Sequence, residues 1–315
     1  MCIRDSLFRI GETYEEAGNL ASSRKSYYAA TGYLEYILNN PKLYIEPYTP
    51  LWDVIRQGFT YNYKLGYIYY RLKAPTLAKR YLKKAGEIAL SVKGLAYYWV
   101  GEDSLRALLA LSTTNWRGAR EVASNLASYL EWKAKIEVNI FREVDGYLNV
   151  ATAYLIAGDK ERAKENLERA LSLVKDYGLE GTPEHLRGKI LTSLCNGDLE
   201  EAVKGYKHLK AVISDLGLIG EEYDLVGIVL ANKLIEEIEG NPLNLLLVGG
   251  RVKKAKSLIG AFRYDEGITE LEKALVELKP VKTLLPAILL AVVALVALLT
   301  ILVKRKLKVK PKRKR

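Results

Sequence analysis

Residues that could catalyse a reaction or hold a metal ion are few in this chain. Neither His185 nor His208 has a cysteine or a second histidine near it at the spacing of a metal site. Two cysteines are too few for a disulfide framework, and Cys195 lies among leucines, where a thiol packs as a small apolar group. The sequence therefore predicts no catalytic residue, no metal and no cofactor.

The loops also lack the motifs that bind phosphates or position a nucleophile. The segment from Gly181 to Lys189, GTPEHLRGK, comes nearest to a phosphate-binding loop. Six residues separate its two glycines where the motif needs four, and Ile190 stands where Ser or Thr is required. His185 follows an expected helix start and is interpreted as a surface residue. No small-molecule substrate is expected.

The positive charge of the chain is concentrated at its C-terminal end. The formal net charge is +11, and nine of the Lys and Arg residues lie in 304–315, which leaves +2 for residues 1–303. A nearly neutral folded part offers no basic surface for phosphates, so no nucleic-acid partner is expected. Abundant Lys, Glu and Tyr beside scarce Met and Cys resemble the composition of proteins from hyperthermophiles.

A long apolar segment precedes this basic end. The twenty residues from Leu284 to Val303 carry no charge and would span about 30 Å as a helix, the thickness of a bilayer core. This pattern predicts a transmembrane helix, with a buried core helix as the alternative. The tail 304–315 would then lie in the cytoplasm and the rest of the chain outside it. Basic residues of the tail would bind anionic lipid: Lys304, Arg305, Lys306, Lys308 and Lys310.

The start of the chain lacks the features of an export signal. Residues 1–6, MCIRDS, have neither a basic stretch nor an apolar run. They resemble translated adapter sequence, so we expect a non-native start on a fragment whose true start is missing, and the presence of a signal peptide stays open.

A repeated spacing of small and aromatic residues runs through the rest of the chain. A small residue is followed by an aromatic one three positions later, a small one after twelve and Ala after nineteen. Such spacing predicts helical hairpins, in which small residues let two helices approach closely. Strong copies begin at Gly11, Gly66, Ala151 and Ala255, the last with Leu in the aromatic position, and looser copies begin at Ala107 and Ile190.

This pattern resembles the tetratricopeptide repeat family, most closely from Tyr147 to Leu171, YLNVATAYLIAGDKERAKENLERAL. The copies start 39 to 65 residues apart, whereas the family repeats at a near-constant 34. We therefore expect an all-α superhelix of about six irregular hairpins over residues 7–279, followed by the membrane helix. The extra length in 218–247 is expected to hold an additional helix.

The resemblance implies a scaffold that binds proteins or peptides on a concave face lined by the first helix of each hairpin. In the second copy that face would present tyrosines at i, i+4 and i+7, which suit contact with an extended partner. Packing of these tyrosines between hairpins is the alternative. The candidate groove residues are Tyr63, Tyr67, Tyr70, Arg71 and Tyr97.

These observations favour a non-catalytic scaffold that is anchored in the membrane and displayed outside the cytoplasm. Its expected partners are other proteins and, through the C-terminal helix, the lipid bilayer. Two alternatives remain at this point. The chain could be a cytoplasmic tail-anchored adaptor, or the partner-binding arm of an enzyme whose catalytic part lies upstream.

Overall fold

The chain forms helices and turns throughout its described part. The computed structural model describes residues 3–40, 50–91, 102–218, 220–280, 296–297 and 299–300, and no strand occurs among them. The helices are α1 (Ile3–Glu16), α2 (Leu20–Asn39), α3 (Leu51–Arg71), α4 (Pro75–Ser91), α5 (Glu102–Thr114), α6 (Trp116–Ile136), α7 (Ile140–Ala157), α8 (Lys160–Asp176), α9 (Pro183–Asn196), α10 (Leu199–Asp215), α11 (Glu221–Glu239), α12 (Pro242–Gly260) and α13 (264–280).

Gly-Asp pairs set the boundary between α7 and α8 and the boundary between α9 and α10. Gly158 ends α7 in the left-handed conformation, with φ 90°, which favours glycine because it has no Cβ. The side chain of Asp159 then accepts a hydrogen bond from the backbone N–H of Arg162 at 3.1 Å and caps α8. Gly197 and Asp198 repeat the arrangement between α9 and α10. These turns depend on adjacent residues, so the sequence could predict them.

Six hairpins follow one another in the described chain: α1–α2, α3–α4, α5–α6, α7–α8, α9–α10 and α12–α13. Their helices meet through small side chains, as the spacing predicts. Ala78, Ala85, Ala163 and Ala170 are completely buried. The all-helical, repeat-like part of the predicted fold is thus confirmed.

Helix α11 belongs to no hairpin. It lies against α5, α7 and α9, the first helices of three successive hairpins, and so fills the inner side of the superhelix. Seven consecutive residues, 225–231, are buried, which means that the middle of α11 is enclosed on every side. The additional helix expected in 218–247 is present, but its place inside the repeats was not foreseen.

The expected membrane helix needs correction. None of the helices in the described residues combines the length and the apolar character needed to cross a bilayer. Their amphipathic pattern explains this: α3, for example, carries Arg56, Lys64 and Arg71, whose charges are costly in a hydrocarbon core.

The predicted fold class is therefore wrong in its last element, the C-terminal transmembrane helix. The predicted single-pass location in the cell membrane is wrong for the same reason. Most of the segment 284–303, and all of the basic tail 304–315, lie outside the described residues. The expected display outside the cytoplasm depended on the same helix and is likewise unsupported.

Candidate functional site

The first turn of α11 carries a concentration of acidic residues, Glu221, Glu222 and Asp224. Carboxylates at this position are favoured by the dipole of the helix. The guanidinium Nε of Arg106 in α5 lies 3.1 and 3.2 Å from the two carboxylate oxygens of Glu221. This ion pair is largely shielded from water and attaches the start of α11 to the third hairpin.

Asp224 attaches α11 to the second hairpin. Its carboxylate accepts hydrogen bonds from the hydroxyls of Tyr70 at 3.1 Å and Tyr67 at 3.4 Å. Burial raises the pKa of Asp224 above its ordinary value, and the nearby guanidinium of Arg71 opposes that rise. The two hydroxyls replace the water that a carboxylate loses on burial.

The tyrosines expected to form an open groove are therefore in contact with α11. Tyr63 and Tyr67 stack with ring centroids 6.0 Å apart, and only 1% and 3% of their surfaces are exposed. Tyr70 is partly buried, and Arg71 pairs with Glu15 at 3.1 Å. A partner could contact Tyr63 or Tyr67 only if the helices packed around them moved. Tyr97 lies outside the described residues.

Contacts continue along the whole length of α11. Near its middle, the Asn232 side chain donates a hydrogen bond to the backbone carbonyl of Ser112 in α5 at 3.3 Å. Near its end, Glu236 accepts a hydrogen bond from the indole N–H of Trp116 in α6 at 2.7 Å. The inner face of the repeats thus holds a helix by polar contacts at its start, middle and end, around an apolar centre.

Arg187 in α9 is a functional candidate that the sequence interpretation missed. It is 1% exposed, and its guanidinium donates hydrogen bonds to the Asp145 carboxylate and, at 2.8 Å, to Asn149 Oδ1. The sequence contains a pattern that indicates its burial. Arg187 precedes Ile190, Leu191 and Leu194 by three, four and seven residues, which is the spacing of an apolar helix face. A charge at such a position needs a buried partner.

An open cleft of about 980 Å³ lies beside the start of α11, between residues of α1, α3, α5, α6 and α7. Its charged lining includes both Glu12 and Glu222. Burial, reinforced by the carboxylate of Glu221, raises the pKa of Glu12 to about 7. Burial, reinforced by the carboxylate of Asp145, raises the pKa of Glu222 to about 7. Both groups therefore change charge near neutral pH.

His185 and Cys195 both have local contacts in or beside α9. The Nδ1 atom of His185 accepts a hydrogen bond from the backbone N–H of Gly181 at 2.8 Å, in the turn that precedes α9. Cys195 is buried, and burial raises the pKa of its thiol to about 11, which disfavours the nucleophilic thiolate at neutral pH. Within the described ranges, no three His, Cys, Asp or Glu residues are grouped to hold a metal ion.

Comparison with known proteins identifies two segments. The tetratricopeptide repeat model matches residues 59–91 and 144–177, which correspond to the hairpins α3–α4 and α7–α8. These are the copies that begin at Gly66 and Ala151, so the expected repeats are confirmed there. Among solved structures, the apo form of RapI is similar at 13% identity and a TM-score of 0.29, over 88% of this chain and all of that one. No curated protein matches significantly.

Proposed function

We propose that this protein is a helical-repeat scaffold that binds segments of other proteins. The matched tetratricopeptide repeats support a binding role in general. The observation that carries the proposal is the position of α11. The first helices of the repeats recognise a helix of the same chain through Arg106, Tyr67 and Tyr70, in addition to apolar packing.

The inner surface of the repeats that α11 covers is not available to a partner. Removing this helix would expose the apolar residues 225–231, at a cost of about 1.5–3 kcal/mol for each large side chain. A partner must therefore bind on surfaces that α11 leaves open. The cleft at its first turn is such a surface, and it joins the polar groups of several repeats.

Crosslinking in intact cells tests the proposal. The full chain, carrying an affinity tag, is expressed in the organism that encodes it, treated with a lysine-reactive crosslinker and purified under denaturing conditions. We expect the same few proteins to be joined to the repeats in independent cultures. The control is Leu167→Asp, which puts a charge in a buried position of a matched repeat.

The adducts should be lost in this control if they depend on the folded repeats. Adducts that persist unchanged in the Leu167→Asp chain, or that also form with an unrelated tagged protein, would contradict a scaffold function.

A further inference from the structure

Four exposed apolar side chains follow one another closely in sequence at the end of α6, in the turn after it and at the start of α7. Val138 is 97% exposed, and the other three are more than half exposed. Large apolar groups grouped at the surface mark interaction sites more often than isolated ones do. We call these four residues the ridge; they are Trp132, Ile136, Val138 and Phe141.

The ridge adjoins the cleft beside α11. Lys133 and Glu137 at the end of α6, and Arg142 at the start of α7, line the cleft and alternate in sequence with ridge residues. A bound segment could therefore cross the ridge and enter the cleft without leaving the surface. About 980 Å³ is close to the upper limit of ligand pockets, which suits a short segment better than a folded domain.

Several cations line the cleft. Arg106 is already paired with Glu221, but Arg9, Lys133 and Arg142 form no ion pair with the carboxylates whose side chains the structure describes. Arg9 and Arg142 are exposed, and Lys133 is half-buried, so all three can be reached from solvent. These side chains offer charge-assisted hydrogen bonds to a carboxylate.

The acidic residues of the cleft do not cancel this charge. Five cations and five acids line it, and two of the acids, Glu12 and Glu222, are held partly neutral at pH 7. A third acid, Asp145, is already paired with the buried Arg187. The lining is therefore net positive at neutral pH, and an acidic ligand is favoured over a basic one.

We propose that the cleft and the ridge together bind an acidic segment of a partner protein that carries an aromatic or branched apolar residue beside its carboxylates. The carboxylates pair with Arg9, Lys133 and Arg142, and the apolar residue packs on the ridge. This inference rests on the proposed function and names its site and the class of its partner.

A peptide selection tests this site. A library of random twelve-residue peptides displayed on phage is selected on the full chain, and the affinities of enriched peptides are measured by fluorescence anisotropy. We expect the enriched peptides to be acidic with aromatic or aliphatic residues. The double variant Lys133→Glu/Arg142→Glu should weaken their binding at least tenfold, and Phe141→Ser should weaken it several-fold.

The matched control is Lys84→Glu/Lys253→Glu, which reverses two exposed charges on α4 and α12, outside the lining of the cleft. This control should bind within twofold of the original chain, and thermal melting should show that all variants are folded. Enrichment of basic peptides would contradict the proposed docking site. So would acidic peptides that bind Lys133→Glu/Arg142→Glu as tightly as they bind the control Lys84→Glu/Lys253→Glu. So would a library without any enriched peptide. The cellular crosslinking result does not depend on this site and tests the scaffold function separately.

Discussion

At the scale of single residues, the acids beside the start of α11 are held in an unfavourable environment. Glu12 and Glu222 lose water on folding, and each faces a second carboxylate, Glu221 or Asp145. Both effects oppose ionisation, so both acids bind a proton more tightly in the folded chain than in the unfolded one. Stability must therefore depend on pH through these two groups.

The direction of this dependence follows from the raised pKa of Glu222. Between its ordinary value of 4.5 and its folded value of about 7, the folded state holds more protons than the unfolded state. The contribution of Glu222 to the free energy of unfolding therefore falls as pH rises through this window and is constant on either side. In Glu222→Gln this fall should shrink, and the variant should be more stable than the original chain at pH 8, by about 1–2 kcal/mol after allowance for solvent screening.

Urea unfolding at pH values from 4 to 8 checks this prediction. Glu165→Gln, on the exposed side of α8, is the matched control and should follow the original chain across the range. A Glu222→Gln profile parallel to that of the original chain would show that the carboxylate does not carry the pH dependence.

At the scale of elements, the hairpins depend on how closely two helices approach. A Cβ added at Gly66 in α3 would lie 2.6 Å from Leu82 Cγ and 2.8 Å from the Leu82 backbone nitrogen in α4. Gly32 in α2, by contrast, has no atom within 4 Å of that position. The first glycine is required by packing, whereas the second only lowers the helix propensity of α2.

These two glycines give opposite predictions for the same substitution. Gly66→Ala should force α3 and α4 apart and lower the free energy of unfolding by about 1–3 kcal/mol. Gly32→Ala should raise it by about 0.5–1 kcal/mol, because Ala is the better helix former. Chemical denaturation followed by circular dichroism measures both. Equal effects of the two substitutions would show that the α3–α4 contact does not require glycine.

At the scale of the whole molecule, α11 links the stability of one hairpin to that of others. In a simple repeat array each repeat contacts only its neighbours, so damage spreads to adjacent repeats. Here α11 contacts α5, α7 and α9 together, and its side chains also bond to α3 and α6. Stability is therefore expected to be coupled across hairpins that do not contact one another directly.

Hydrogen exchange can detect this coupling. Ile228→Ala removes a buried side chain from the middle of α11, and Leu167→Ala does the same in α8 of the fourth hairpin. We expect Ile228→Ala to speed amide exchange in α5, α7 and α9 together. Leu167→Ala should act mainly on its own hairpin and on the neighbouring helices α6 and α9, and it should affect α5 less than Ile228→Ala does. An effect of Ile228→Ala confined to α11 would contradict a central role for this helix.

Features that depend on nearby residues could be predicted from the sequence. Asp159 caps a helix through an atom three residues away, and Ala163 and Ala170 are buried in α8, which packs on α7 of the same hairpin. No local sequence pattern could predict where α11 packs, because the residues that hold it, such as Tyr70 and Asp224, are separated by 154 positions. The tyrosine spacing indicated an inner face, but it could not show that α11 covers it.

The sequence by itself determined the helices, their ends and the hairpin repeats, because helix propensity, capping and small-residue spacing act over short stretches of chain. The tertiary structure alone decided which charges meet and which surfaces remain open. Arg106 and Glu221 become partners only after the hairpins stack and α11 returns along their inner side. That arrangement is set by the summed packing of many helices. Because it buries the tyrosines, the candidate binding site is the cleft and the ridge instead.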